Sequence, residues 1–214
     1  MDGNGRWATK RLLPRNAGHR AGVKNITPVV SAALENGVKA VTLYAFSSEN
    51  KSRPQDEVDS LVDLIRKRLK PMTRELIERG ARIMFSGDTE YFPSDVRKIM
   101  TEIVEENTSP DAQVVNIALN YGGRAEIARA AALAAASGEI SEDTIAKNLY
   151  TAQLPELDMI VRTGGEKRLS NFLLYQAAYS ELFFTDTLWP DFSAKELIGM
   201  IAEFGSRTRR FGKL

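Results

Sequence analysis

Apolar positions along the chain recur with two alternating periods. Five short runs are dense in β-branched and aromatic residues, side chains that suit a pleated, half-buried surface. They cover 38–46, 81–85, 114–119, 157–161 and 181–185, and each predicts a strand. Between them the apolar residues fall three and four apart, which lines one face of a helix. Val23, Ile26, Val30, Ala33 and Leu34 form one stripe, stopped by Gly37. Val58, Leu61, Val62, Ile65 and Leu69 form another. Ser52 and Gln55 make a capping-box pattern ahead of it, Gly80 marks its end, and Pro71 is expected to kink or interrupt it. Ile99, Ile103 and Val104 predict a third helix, and 127–133, 145–150 and 197–204 predict three more. Strands alternating with helices predict an α/β fold, a parallel sheet with helices on its faces, and the length allows one large domain or two small ones. No repeat, low-complexity linker or domain boundary interrupts the pattern.

Sheets of this kind bind ligands beyond the carboxyl ends of their strands, which directs attention to the loops there. These read Ser47-Ser48-Glu49-Asn50, Ser86-Gly87-Asp88, Asn120-Tyr121-Gly122-Gly123-Arg124 and Arg162-Thr163-Gly164-Gly165-Glu166-Lys167-Arg168. Glycine lets backbone N–H groups approach a ligand, and the arginine fork matches phosphate oxygens. Any one such loop could equally be an ordinary turn, since turns favour the same residues. Several with one chemistry on one edge favour a polyanion site. Overall charge supplies no such site, because 29 Lys and Arg against 28 Asp and Glu leave a net charge of +1. That excludes a globally basic nucleic-acid binder. The absence of cysteine excludes disulfides, thiolate metal sites and cysteine nucleophiles, and a single histidine excludes a His-rich zinc site. The longest apolar stretch, the alanine-rich run at 130–136, is too short to span a bilayer, and no signal peptide is recognisable. A cytoplasmic protein is the expectation.

The start of the chain concentrates the chemistry: Asp2-Gly3-Asn4-Gly5-Arg6-Trp7 offers a carboxylate, two glycines and an arginine. Asp2 could hold magnesium, a hard cation that takes carboxylate and phosphate oxygens. Gly3 and Gly5 could let amides cradle a phosphate, with Arg6, Arg15 and His19 as further donors. Residues 3–8 also match part of a dinucleotide-binding fingerprint, but without its preceding strand, and Lys10, Arg11 and Pro14 do not continue the helix it requires. No Walker motif is present.

Taken in order, these segments resemble the bacterial cis-prenyltransferases of the undecaprenyl diphosphate synthase type. The likeness runs nearly end to end: Asp2 to Trp7, Gly18-His19, Leu43 to Asn50, Arg53-Pro54, Asn120 to Arg124, Arg162 to Glu166, Arg168 to Phe172, Tyr179-Ser180-Glu181, Leu188 to Phe192 and Arg209 to Gly212. The resemblance implies a magnesium-dependent homodimeric enzyme whose fold is a single α/β domain, a mostly parallel central sheet flanked by helices. It would condense isopentenyl diphosphate onto an allylic diphosphate, usually farnesyl diphosphate, and repeat the step to make a long polyprenyl carrier lipid such as undecaprenyl diphosphate for cell-wall synthesis. Nucleic acid is not implied, and membrane contact is at most peripheral, for product release.

By the same resemblance, Asp2 is the catalytic, metal-linked aspartate and Glu181 a second metal-linked acid. Gly3, Asn4, Gly5, Arg6, Arg15 and His19 cradle the allylic diphosphate, with Trp7 packed against substrate. Ser47, Ser48, Glu49, Lys51 and Arg53 belong to a further substrate loop. Asn50 matches a residue described as a proton acceptor, although a neutral amide is better suited to positioning or relay. Arg162, Arg168, Leu169 and Ser170 match the isopentenyl diphosphate site. The 58–69 stripe matches the helix lining an apolar product tunnel, and Arg210 and Gly212 match an element reaching the partner subunit. Lys51 stands where many members have tryptophan, and Lys167 where some have a metal-linked histidine. Members also carry an apolar strand ahead of the Asp2 motif, so a form without it is expected to be less stable and less active. The competing readings are a non-catalytic partner subunit, which would tend to lose the Asp2 motif, and a nucleotide-dependent oxidoreductase. A trans-prenyltransferase is excluded by the missing Asp-Asp-x-x-Asp motif and by the α/β pattern.

Overall fold

A computed structural model describes residues 1–107, 109 and 111–207. Its described residues fall into two compact units, one of 1–38, 156–168 and 176 onward, the other of 39–155 and 169–175.

The second unit holds a parallel sheet of β1 (Ala40–Ser47), β2 (Arg82–Ser86) and β3 (Val114–Tyr121) in the order β1-β3-β2. The middle strand is the most apolar run, and all eight of its residues are buried. A strand covered on both faces has no polar alternation to show, which is why it reads as a continuous run. Its Asn116 is buried too, and its amide is satisfied across the sheet by the Ser86 hydroxyl at 3.0 Å and Thr42 Oγ1 at 3.3 Å. The helices α4 (Gln55–Glu78), α5 (Ser94–Glu105), α6 (Gly123–Ala136) and α7 (Glu142–Lys147) complete this unit. Val58, Leu69 and Leu76 of α4 and Val96, Met100 and Ile103 of α5 enter the core. Each such side chain contributes about 1.5–3 kcal/mol when fully buried.

The first unit contains α1 (Asn4–Thr9), α2 (Arg15–Lys24), α3 (Ile26–Glu35), the parallel pair β4 (Met159–Arg162) and β5 (Glu181–Phe184), and α8 (Ala194–Ser206). Its core gathers Ile26, Val29, Val30, Ile160, Phe183, Trp189, Phe192 and Leu197. The Trp189 indole N–H donates to the Gly22 carbonyl at 2.8 Å, and the Asn25 amide donates to the Trp189 carbonyl at 2.6 Å.

All five expected strands form, within two residues of the expected bounds. Several helix expectations change. The 23–34 stripe is two helices meeting at Asn25, because Pro28 has no N–H to bond the Lys24 carbonyl and the ladder cannot run through. Pro71 does not interrupt α4, which is continuous over 24 residues. Pro71, Lys67 and Arg68 are exposed, so the lost bond lies on the side where water replaces it, while Leu69, Thr73 and Leu76 anchor the other face. Ser52 does not cap α4. It closes a 3-10 turn (Ser48–Ser52) by donating to the Glu49 carbonyl at 2.7 Å, and the capping box belongs instead to Ser47 and Asn50. The helix expected at 145–150 lies earlier, over α7, because Ser141 caps it there. Asn4, Gly5 and Arg6 form the first turn of α1.

Candidate active site

The carboxyl end of β4 carries Arg162, and the chain then turns through Thr163 and Gly164. Against this turn lies Asp2, about 160 residues away in sequence but fixed by its backbone. The Asp2 N–H donates to Thr163 Oγ1 at 2.9 Å, and the Thr163 hydroxyl donates back to the Asp2 carbonyl at 3.0 Å. The Trp189 N–H donates to the same carbonyl at 2.9 Å. Gly164 has φ +89°, and a Cβ there would lie 2.8 Å from an Arg6 nitrogen and 3.2 Å from the Asp2 carbonyl. Only glycine lets the two segments approach this closely.

The Asp2 side chain is then positioned from three directions. Oδ2 accepts from Arg162 Nη2 at 3.0 Å, Oδ1 accepts from the Gly3 N–H at 2.7 Å, and Arg6 Nη2 lies 4.0 Å from Oδ1. Burial pushes the Asp2 carboxyl upward, but the Arg162 hydrogen bond and charge and the Gly3 N–H outweigh it and hold the group below its ordinary value. Asp2 is therefore ionised at neutral pH. Arg162 also donates to the Arg168 carbonyl. Glu166 sits between two arginines, 3.8 Å from Arg6 Nη1 and 2.6 Å from Arg168 Nη1. Three guanidinium groups and two carboxylates thus share one end of the β4–β5 pair. Arg15 lies nearby on α2, its guanidinium 3.4 Å from where a Cβ on Gly5 would be, and His19 is half-buried on the same helix. The Trp7 indole donates to Asp191 at 2.7 Å and its ring lies under the Arg11 guanidinium at 4.2 Å.

Glu181 is not brought to Asp2. It pairs with Met159 at the start of β5, so about four residues of strand rise, roughly 13 Å, separate it from Thr163. Its carboxylate accepts from Arg207 at 2.5 Å. Among the described residues no group of three or more carboxylates or histidines could hold a metal. Asp2 fits magnesium in another way, since that ion is commonly held by one or two carboxylates with substrate phosphates and waters filling the rest. Lys167 is exposed on the loop.

The second unit carries the other expected substrate residues on the turn after β1. The Asn50 side-chain oxygen accepts from the Ser47 N–H at 2.9 Å, which occupies that oxygen as a cap. Glu49 accepts from the Ser48 hydroxyl at 3.1 Å and from Asn171 Nδ2 at 2.6 Å. Lys51 lies over the Tyr91 ring at 4.3 Å, and Arg53 is tied to Glu57 at 2.8 Å. Leu169 is half-buried and Ser170 exposed. Arg209, Arg210 and Gly212 lie outside the described residues.

The family model described as "Putative undecaprenyl diphosphate synthase" matches residues 1–212. The chain belongs to this prenyltransferase family. Relatives named isoprenyl transferase include that of Streptococcus pyogenes serotype M3, 46% identical over 226 residues that cover 100% of this chain and 91% of the relative. That of Aquifex pyrophilus is 43% identical, covering 100% of this chain and 94% of its own. Among solved structures, lavandulyl diphosphate synthase from Lavandula x intermedia in complex with dimethylallyl diphosphate is similar with a TM-score of 0.94. It is 30% identical and covers 100% of this chain and 95% of that one. The undecaprenyl diphosphate synthase described as probable from Campylobacter jejuni has a TM-score of 0.82 and 35% identity, over 91% of this chain and 93% of that one. Membership makes this chain a transferase of prenyl groups with the α/β fold of these enzymes. No described helix is long and apolar enough to cross a membrane.

Two residues of the arrangement escape a sequence reading. Thr163 and Glu166 stand inside a quoted motif, but threonine and glutamate are so common in turns that only their contacts mark them. Thr163→Val keeps the shape of this buried side chain and removes both bonds to the Asp2 backbone. It is expected to cost about 2 kcal/mol in urea denaturation and to lower turnover about tenfold. Thr163→Ser should retain both, and an inactive serine variant would show that the methyl group, not the hydroxyl, matters.

Proposed function

We propose that this transferase is a magnesium-dependent cis-prenyltransferase condensing isopentenyl diphosphate with an allylic diphosphate, farnesyl diphosphate being the expected primer. Repetition builds a long polyprenyl diphosphate such as undecaprenyl diphosphate, the carrier lipid for cell-wall synthesis. In this reading the chain acts as one functional domain, in a cytoplasmic homodimer, with at most peripheral membrane contact when product leaves.

The observation that carries the reading is the gathering of Asp2, Arg6, Arg162 and Arg168 at the carboxyl end of β4. In the condensation the allylic C–O bond breaks and diphosphate leaves. A new C–C bond forms to the alkene of isopentenyl diphosphate, which then loses a proton. Negative charge develops on the departing oxygens, so fixed cations there lower the barrier. Each of these arginines already faces an oxygen, of Asp2, of Glu166 or of the Arg168 backbone, and a diphosphate would substitute further oxygens in the same positions. Asp2 would hold magnesium together with those phosphate oxygens; the ion, when bound, supplies charge neutralisation to the leaving group. Glu181 is proposed as a metal-linked acid at the other end of the β4–β5 pair rather than as a co-ligand of that ion. An allylic diphosphate is bound in the lavender structure, which supports the substrate class. Within the second unit, Ser47 to Arg53 are proposed as substrate contacts and the 58–69 stripe as the wall of an apolar sleeve. The partner-subunit alternative is disfavoured because Asp2 and the arginines are all retained.

The test incubates purified protein with magnesium, farnesyl diphosphate and labelled isopentenyl diphosphate, and sizes the products. A ladder ending near one long chain is expected; no incorporation would overturn the reading. Arg162→Ala is expected to raise KM for isopentenyl diphosphate about tenfold or more. An unchanged KM would remove the 162–168 loop from that substrate's site.

A further inference from the structure

We propose that Asn171 is a positioning residue whose side-chain amide sets the Ser48–Ser52 turn against the first turn of α6. The inference rests on the reading that residues 47–53 contact substrate, and extends it to a residue that reading does not include.

Asn171 joins three stretches distant in sequence. Its Nδ2 donates to Glu49 Oε1 at 2.6 Å, its Oδ1 accepts from the Arg124 N–H at 2.8 Å, and its backbone carbonyl accepts from the Gly123 N–H at 2.7 Å. The direction of the amide is fixed from both ends, because a backbone N–H can only donate and an ionised carboxylate can only accept. Helix α6 has no cap of its own, since its N-cap residue is Gly122. Asn171 therefore supplies, from 47 residues away, acceptors for two of the N–H groups that a helix start leaves unpaired.

The backbone around Asn171 is unusual as well. Ser170, Asn171 and Leu173 have φ of +48°, +63° and +43°. Three non-glycine residues out of four in the left-handed region persist only where surrounding contacts over-determine them. Those contacts are present. Leu173 is buried, and the Phe172 ring stacks on Tyr44 at 4.5 Å. The segment is thus anchored by its apolar side chains, and the polar Asn171 is aimed at the turn. Burial alone would push the Glu49 carboxyl up, but the Asn171 amide and the serine hydroxyls hold it below its ordinary value, so it stays an acceptor at neutral pH.

The two ends of the amide can be separated. Asn171→Asp keeps an oxygen for the Arg124 N–H, in a place where a carboxylate suits a helix start. At the other end it sets two carboxylates against each other. Adding Glu49→Gln restores one hydrogen bond with donor and acceptor exchanged. In the unliganded full chain, N171D is expected to leave the melting temperature unchanged within a few degrees and to speed amide exchange over residues 47–53 about tenfold. In the prenyl-transfer assay it should lower kcat/KM about tenfold. N171D/E49Q should return exchange to the parent rate; activity is read from N171D alone, because Glu49 is itself a proposed substrate contact. Parent-like exchange in N171D, or exchange that stays fast in the double variant, would overturn the proposal. So would altered exchange with unchanged kcat and KM. Failure of the parent chain to transfer prenyl groups would instead overturn the proposed function, and exchange would still decide whether Asn171 positions the Ser48–Ser52 turn.

Discussion

Asp2→Ala is expected to lower turnover about a thousandfold or more while leaving the melting temperature within a few degrees of the parent. The two effects separate because different atoms of Asp2 serve them. Its backbone N–H and carbonyl carry the bonds to Thr163 and Trp189, and alanine keeps both. Its carboxylate meets Arg162, Arg6 and the Gly3 N–H, and its side chain is 42% exposed. An ion pair that open contributes about 1 kcal/mol or less to stability. The same carboxylate is the proposed magnesium ligand, so its removal acts on the step in which charge leaves with diphosphate. The check is kcat at saturating concentrations of both substrates together with a thermal melt. Turnover within tenfold of the parent would remove Asp2 from catalysis, and a collapsed melt would assign it to the fold.

Gly18→Ala is expected instead to act on the fold and destabilise the chain by about 3 kcal/mol or more. A Cβ on Gly18 would lie 1.9 Å from the Asn4 carbonyl oxygen and 3.2 Å from Ala8 Cβ. Both neighbours belong to α1, and a backbone carbonyl cannot swing aside as a side-chain tip can. The helices α1 and α2 would have to separate, and Asp2 and Gly3 lead directly into α1. Turnover should therefore fall along with stability. Urea denaturation of Gly18→Ala beside Gly199→Ala provides the check. Nothing lies within 4 Å of a Cβ at Gly199, which is on α8, and alanine there should stabilise by about 0.5–1 kcal/mol. A Gly18→Ala midpoint equal to the parent's would mean that the helices pack less tightly than 1.9 Å requires.

Local signals were legible where one residue type has one physical use. The dense β-branched runs marked the strands, because few other environments favour that mixture. Gly37 and Gly80 marked helix ends, and both adopt positive φ. Pro71 misled because the cost of a proline depends on which side of the helix loses its bond, and exposure is not written in the local sequence. The break at Asn25 was hidden by a stripe that continues in register on both sides of it. The site divided in the same way. Arg162, Arg168 and Asp2 were visible as charges in glycine-bearing loops. Thr163, Glu166 and Asn171 were not, since each is a common turn residue whose role rests on a partner far along the chain.

By itself, the sequence determined which elements form, the family they belong to, and which charged residues carry the chemistry. Periodicity, turn chemistry and motif order are properties of neighbouring residues, and a linear chain records them directly. Only the tertiary structure decided that Asp2 meets Arg162 while Glu181 stands at the other end of the β4–β5 pair. It also decided that β3 is the middle strand and that Asn171 caps a helix 47 residues away. Such pairings follow from strand order and close backbone approach, which depend on how all elements share a core and not on the residues next to each one.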